Sequence, residues 1–153
     1  MEPRENTGVP FGLVLGGGSL LNQVGRELRT TVDALLAPFD LTAQQAAVLL
    51  HASRQETSPN RLAAEVGTDT AGMTRLLDRL EAKGLLARRP HPGDRRSVVV
   101  EVTPEGRALA PRLAPVFGTA SARLLSGFSE EEVLQVTGLL RRMLDNLTGR
   151  GRS

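Results

Sequence analysis

Between Ser58 and Val102 the spacing of apolar residues changes from helical to alternating, and that change limits the fold more than any other feature of the chain. Ser58 followed by Pro59 is a helix start: a cap residue, then proline at the first helical position, where its missing N–H costs nothing. That helix is short and ends near Val66 and Gly67. Thr68 or Asp69 caps the next, which carries Met73, Leu76, Leu77 and Leu80 on one side and stops at Gly84. Two short helices joined by a tight turn containing glycine are the pattern of a helix-turn-helix. Beyond Gly84, Leu85 to Arg89 reads as extended, His91-Pro92-Gly93-Asp94 as a turn, and Ser97 to Val102 as a β-branched strand. A hairpin directly after a helix-turn-helix makes a winged helix, here about residues 42–102.

Helical stretches flank this unit. Leu20, Val24, Leu28, Val32 and Leu35 recur at spacings of three and four, which predicts a first helix from about Ser19 to Leu36, stopped by Pro38. Thr42 with Gln45 is a capping-box pattern opening a second helix, with Val48, Leu49 and Ala52 facing inward. Thr103-Pro104 starts a fifth helix bearing Leu109, Leu113, Val116, Phe117 and Leu124. Pro111 and Pro115 lie inside it, so a kink or a broken first half is expected. Ser129 with Glu132 opens a last helix carrying Val136, Leu140, Met143 and Leu147, and Glu130 to Glu132 complement its dipole. The first and last stripes cannot all be buried in so small a monomer. The first helix, at about 19–36, and the last, ending near 147, are therefore expected to dimerise, with about 104–147 as the C-terminal dimerisation segment. The whole reads as one domain over 16–148, mainly α with a small β-hairpin wing, between a flexible tail at 1–15 and another at 149–153.

Composition removes several function classes. At 153 residues the chain has room for one well-buried core, not for two ordinary domains. It contains no cysteine, which excludes disulfides, thiol redox sensing and cysteine-ligated metal and fits a reducing cytoplasm. No run reaches the ~18 apolar residues of a membrane span. The apolar segment from Phe11 to Leu21 is short, split by Gly16, Gly17 and Gly18, and does not read as a signal peptide. That glycine triplet lacks the following Lys-Ser/Thr of a phosphate loop. The two histidines, His51 and His91, are too few and too far apart for a zinc site, and no nucleophile–base pair or paired carboxylates appear. Neither an enzyme nor a cofactor is expected.

Net charge is only +2, but its distribution is uneven. Lys83 is the sole lysine, and a compositional bias toward arginine explains the overall excess as well as nucleic acid does. Locally, Arg75, Arg79, Lys83, Arg88, Arg89, Arg95 and Arg96 face only Asp78, Glu81 and Asp94. A basic patch confined to one stretch is the footprint of phosphate contact.

The stretch Thr70 to Arg96, TAGMTRLLDRLEAKGLLARRPHPGDRR, followed by SVVVEVTPEG, closely resembles the multiple-antibiotic-resistance regulator (MarR) family. The features shared are a threonine–arginine pair on the recognition helix, Leu-Asp-Arg-Leu-Glu after it, Gly-Leu, a wing closed by Asp-Arg-Arg, and Thr-Pro-x-Gly. The resemblance extends over about Ser19 to Leu147. It implies an obligate homodimer whose first, fifth and sixth helices interlock and whose winged helices read a pseudo-palindromic operator. It further implies a repressor that a small molecule releases by binding between the dimerisation and DNA-binding parts.

The candidate contacts to double-stranded DNA are Ser58, Asn60, Thr70, Ala71, Thr74, Arg75, Arg79, Arg89, Asp94, Arg95 and Arg96. Thr70, Ala71, Thr74 and Arg75 lie on the N-terminal half of the second helix of the motif, where base edges are met. Against this, Arg75 or Arg79 could simply pair with Asp78 or Glu81 on a solvated helix face. By resemblance Arg96 enters the minor groove, while Asp94 holds the turn or orients an arginine. Candidate effector-binding residues are Arg26, Ala46, His51 and Phe117, with Ala46 standing where a larger side chain is expected. The competing reading is a winged-helix dimer that binds a protein partner with little DNA specificity.

Overall fold

The computed structural model describes residues 19–149. The leading tail at 1–15, the triplet Gly16–Gly18 and residues 150–153 lie outside that range. Among the described residues the order is α1 (Leu20–Leu36), a 3₁₀ turn (Ala37–Phe39), α2 (Ala43–Arg54), α3 (Pro59–Val66), α4 (Thr70–Ala82), β1 (Leu86–His91), β2 (Asp94–Val102), α5 (Pro104–Leu124) and α6 (Glu130–Thr148). This is a mainly helical winged helix-turn-helix with a two-stranded antiparallel wing. The chain forms two compact units, one reaching to Ala120 and the other beginning at Ser121.

Caps set most of the boundaries. Thr42 and Gln45 form a reciprocal capping box, with Gln45 N–H donating to Thr42 Oγ1 at 3.3 Å and Thr42 N–H to Gln45 Oε1 at 3.2 Å. Asp33, from α1, accepts the Ala43 N–H at 2.6 Å, so one helix completes the start of the next. Ser58 caps α3, and Asp69 caps α4 by accepting the Gly72 N–H at 2.6 Å. Gly67 ends α3 at φ 75°, a left-handed conformation that a side chain would strain, and this turn sets the angle between α3 and α4.

The core of the first unit collects one face of every element. Leu36, Leu49, Leu62, Met73, Leu77, Leu80, Leu86 and Leu113 are all buried. Each side chain of this size contributes about 1.5–3 kcal/mol relative to exposure. The hairpin pairs Leu86 with Val102 and Arg88 with Val100. Val100 N–H also donates to Thr57 O at 2.9 Å, which pins the strand to the segment entering α3. β2 begins at Asp94, three residues before the expected start. The register shifts after Pro90 pairs with Val98, and His91 then pairs with Asp94 at the tip, so the strand reaches past the β-branched run through an irregularity.

Of the two outcomes expected for α5, a kink or a broken first half, the break does not occur: Pro104–Leu124 is one helix with both prolines inside it. The prolines are four residues apart and therefore share a face, and that face is exposed at Arg107, Pro111 and Pro115. The carbonyls left without an N–H donor, those of Arg107 and Pro111, thus face water. The opposite face, with Gly106, Ala110, Leu113 and Ala120, packs inward. Arg112 additionally lies over the Phe39 ring at 5.2 Å, joining α5 to the 3₁₀ turn.

In the second unit α6 opens on a Ser129–Glu132 capping box and contains no buried residue. Leu134, Val136, Leu139, Leu140, Met143, Leu144 and Leu147 are all exposed, as are Leu20, Leu21 and Val24 of α1 in the first unit.

Candidate nucleic-acid interface

α4 is amphipathic in a simple way. Met73, Leu76, Leu77 and Leu80 are buried, and Thr70, Ala71, Thr74, Arg75, Asp78 and Arg79 are exposed. Thr74 donates its hydroxyl to Thr70 O at 3.0 Å, which leaves its methyl and oxygen on the outer face. The acids beside these arginines are taken elsewhere. Arg88 Nη2 donates to Glu81 Oε2 at 2.8 Å and to Asp78 Oδ1, and the Arg88 N–H donates to Glu81 Oε1 at 2.6 Å. The Arg88 side chain is the main reason that the Glu81 carboxyl is held below its ordinary range, and the same contacts hold the Arg88 guanidinium charged. Arg75 and Arg79 have no carboxylate partner among the described residues.

The wing tip is organised by Asp94. Its Oδ1 accepts the Arg96 N–H at 3.0 Å and its Oδ2 accepts the Ser97 hydroxyl at 3.0 Å. The Arg96 amide and then the Ser97 hydroxyl lower the Asp94 carboxyl. His91 Nδ1 accepts the Gly93 N–H at 3.0 Å on the other side of the turn. Arg95 and Arg96 are exposed and, among the described residues, without a carboxylate partner. Arg89 differs: its Nε lies 2.7 Å from Glu101 Oε2 across the hairpin, so its charge is already matched. Ser58 spends its oxygen on the Arg61 N–H at 3.3 Å, and Asn60 is exposed on the first turn of α3. Lys83, although in the basic stretch, donates to Asp40 O and lies 3.3 Å from Asp40 Oδ2, bracing the end of α4 against the turn after α1.

Two exposed, cation-bearing elements joined by a packed core invite comparison with known proteins. The family model described as MarR family matches residues 39–97. The reduced form of MarR from E. coli is 30% identical, with 86% of this chain and 98% of that chain covered at a TM-score of 0.67. The chain belongs to the MarR family of transcription regulators. A cysteine-to-serine mutant of E. coli MarR, complexed with operator DNA, is 29% identical over 90% of this chain and 99% of that chain, with a TM-score of 0.77. BpsR from Bordetella bronchiseptica, whose DNA binding is regulated by 6-hydroxynicotinic acid, is 29% identical over 90% and 98%, with a TM-score of 0.78.

In this MarR-family chain the four effector candidates have different surroundings. Arg26 lines a shallow cavity of about 330 Å³ with Leu21, Asn22, Gly25, Arg29 and Thr30, all from α1. Ala46 is fully buried in the core, and Phe117 packs partly buried against it. His51 Nδ1 lies 3.3 Å from Glu65 Oε2, and the same carboxylate holds Arg61 at 3.4 Å. The residue that sequence reasoning overlooked is Arg88, grouped with the basic patch although it faces inward. Strand alternation was the available signal, because Arg88 stands two residues after buried Leu86 and shares its side of β1.

Proposed function

We propose that this chain is a sequence-specific, DNA-binding transcription regulator that acts as a homodimer on a pseudo-palindromic operator. The observation that carries this reading is the set of unmatched cations: Arg75 and Arg79 on α4, Arg95 and Arg96 on the wing. All four are exposed, and the neighbouring acids are engaged by other groups. Phosphate is the partner that such a face suits, and α4 offers Thr70, Ala71, Thr74 and Arg75 to base edges. The related E. coli MarR has been solved on operator DNA, which supports transfer of that role to this chain.

The exposed apolar faces of α1 and α6 support dimerisation, since monomers rarely leave so much leucine and valine in water. Repression, relieved by a small acidic or aromatic effector, is the regulatory mode we assign, by analogy with the ligand-regulated relative BpsR. No helix among the described residues is long and apolar enough to cross a membrane. Selection of duplexes from a random-sequence pool by the purified protein tests the reading. Enrichment of an inverted repeat with half-site centres about 10 bp, or a multiple of that, apart is expected. Recovery of an unenriched pool, with the protein a folded dimer, would place the protein-partner reading ahead.

A further inference from the structure

Asp78 is the acid closest in sequence to Arg75 and Arg79, the two α4 arginines proposed to meet DNA. It stands three residues after Arg75 and directly before Arg79, and its side chain is 56% exposed. An i,i+3 spacing on a helix is the spacing of an ion pair, so Asp78 and Arg75 are natural partners. The pair does not form. Arg88, reaching across from β1, holds Asp78 and Glu81 together with one terminal nitrogen. Glu81 is fastened twice, by that nitrogen and by the Arg88 backbone N–H. Only 28% of the Arg88 side chain is exposed, and it is turned toward α4.

We propose that Arg88 is a positioning residue for DNA binding: it occupies the carboxylates of α4 so that Arg75 and Arg79 stay unpaired and available to phosphate and bases, without touching DNA itself. The inference rests on the DNA-binding reading given above. If Arg88 loses its charge, Asp78 becomes an unmatched anion on the DNA-facing helix. It then either repels phosphate or captures Arg75, and both weaken binding. The remedy follows from the same logic. Removing the charge of Asp78 as well should restore affinity, although the α4–β1 contact is then more damaged, not less. A purely structural clamp behaves in the opposite way.

The test uses the full-length protein and two fluorescent duplexes, one of generic mixed sequence and one enriched from a random pool. Arg88→Met should weaken binding to the enriched duplex by roughly threefold to tenfold, the scale of one or two restored like charges near phosphate. Asp78→Asn in that background should recover most of the loss, while Asp78→Asn alone should change affinity less than about twofold. Should Arg88→Met fail to fold, Arg88→Lys supplies the same comparison: a point charge satisfies one carboxylate rather than two, giving a smaller loss that Asp78→Asn again relieves. The inference is overturned if the Arg88 variants bind like the parent. It is equally overturned if Asp78→Asn does not restore binding, the result expected of a clamp or of an arginine that contacts phosphate directly. An Arg75→Ala control separates the two levels. Weak binding by Arg75→Ala beside intact binding by the Arg88 variants removes only the inference. A parent that binds neither duplex removes the DNA-binding reading with it.

Discussion

Arg75 and Arg96 carry the same charge but stand on different elements, α4 and the wing, and different work is proposed for them. Arg75, on α4 beside Thr74, is proposed to meet base edges or to fix the helix in the major groove. Arg75→Ala should cost roughly 1–3 kcal/mol on the enriched duplex and less on generic DNA, so specificity falls. Arg96, at the wing, suits a narrow A·T-rich minor groove, and Arg96→Ala should weaken binding most where the flanks are A·T-rich. The double variant should be additive within ~0.5 kcal/mol, measured by gel shift at fixed salt. Equal effects of both changes on all duplexes would contradict this division. Residue identity alone could not separate these arginines from Arg88 and Arg89. All four stand in one basic stretch, and only the strand's two faces and the cross-hairpin Glu101 show which charges are already matched.

At the scale of elements, the wing owes its tip to one carboxylate. Asp94 has a lowered pKa because it accepts the Arg96 N–H and the Ser97 hydroxyl. A carboxylate depressed on folding stabilises above the ordinary carboxylate range, and that contribution is lost as pH falls to the depressed folded value. The Arg96 amide resonance should therefore shift below about pH 4, and the step should vanish in Asp94→Asn. Persistence of the step in that variant would show that another group orders the tip. The start of α5 depends on close approach instead. Thr103 Oγ1 donates to Gly84 O at 2.6 Å and accepts the Gly106 N–H at 3.1 Å. A Cβ at Gly106 would stand 2.1 Å from Leu85 O, a backbone atom that cannot rotate away. Gly106→Ala should destabilise by about 1–3 kcal/mol in urea unfolding, and an unchanged midpoint would refute the packing argument. Caps were the most legible part of the chain, because Thr42–Gln45, Ser58–Pro59 and Ser129–Glu132 are local chemistry. The fate of Pro111 and Pro115 was not legible, since whether a helix tolerates proline depends on which face meets water. The role of Gly106 within Thr-Pro-x-Gly likewise waits on a contact with Leu85, 21 positions away by numbering.

For the whole molecule, the exposed leucines of α6 and α1 are the feature most in need of a partner. Leu134 is 68% exposed and Leu147 is 88% exposed. A second copy of the chain is the proposed cover. Deleting everything after Ser129 should leave a product that is insoluble or unfolded, read by solubility, circular dichroism and sedimentation. A soluble, well-folded monomer from that truncation would contradict dimerisation through these helices. The stripes themselves were readable from periodicity. What surrounds the effector candidates was not readable in the same way: Arg26 lines a cavity on α1, Ala46 lies in the core, His51 pairs with Glu65 and Phe117 packs against the core. The central claim is that unmatched arginines on α4 and the wing meet phosphate, and it is tested most directly by the salt dependence of duplex binding. The logarithm of the association constant should fall linearly with the logarithm of salt concentration, with a slope of about −0.9 per phosphate neutralised. Replacing Arg75, Arg79, Arg95 and Arg96 together by alanine should flatten that slope by several units for the dimer while the protein stays folded. A folded parent whose binding is indifferent to salt, or a quadruple variant with an unchanged slope, would contradict the account.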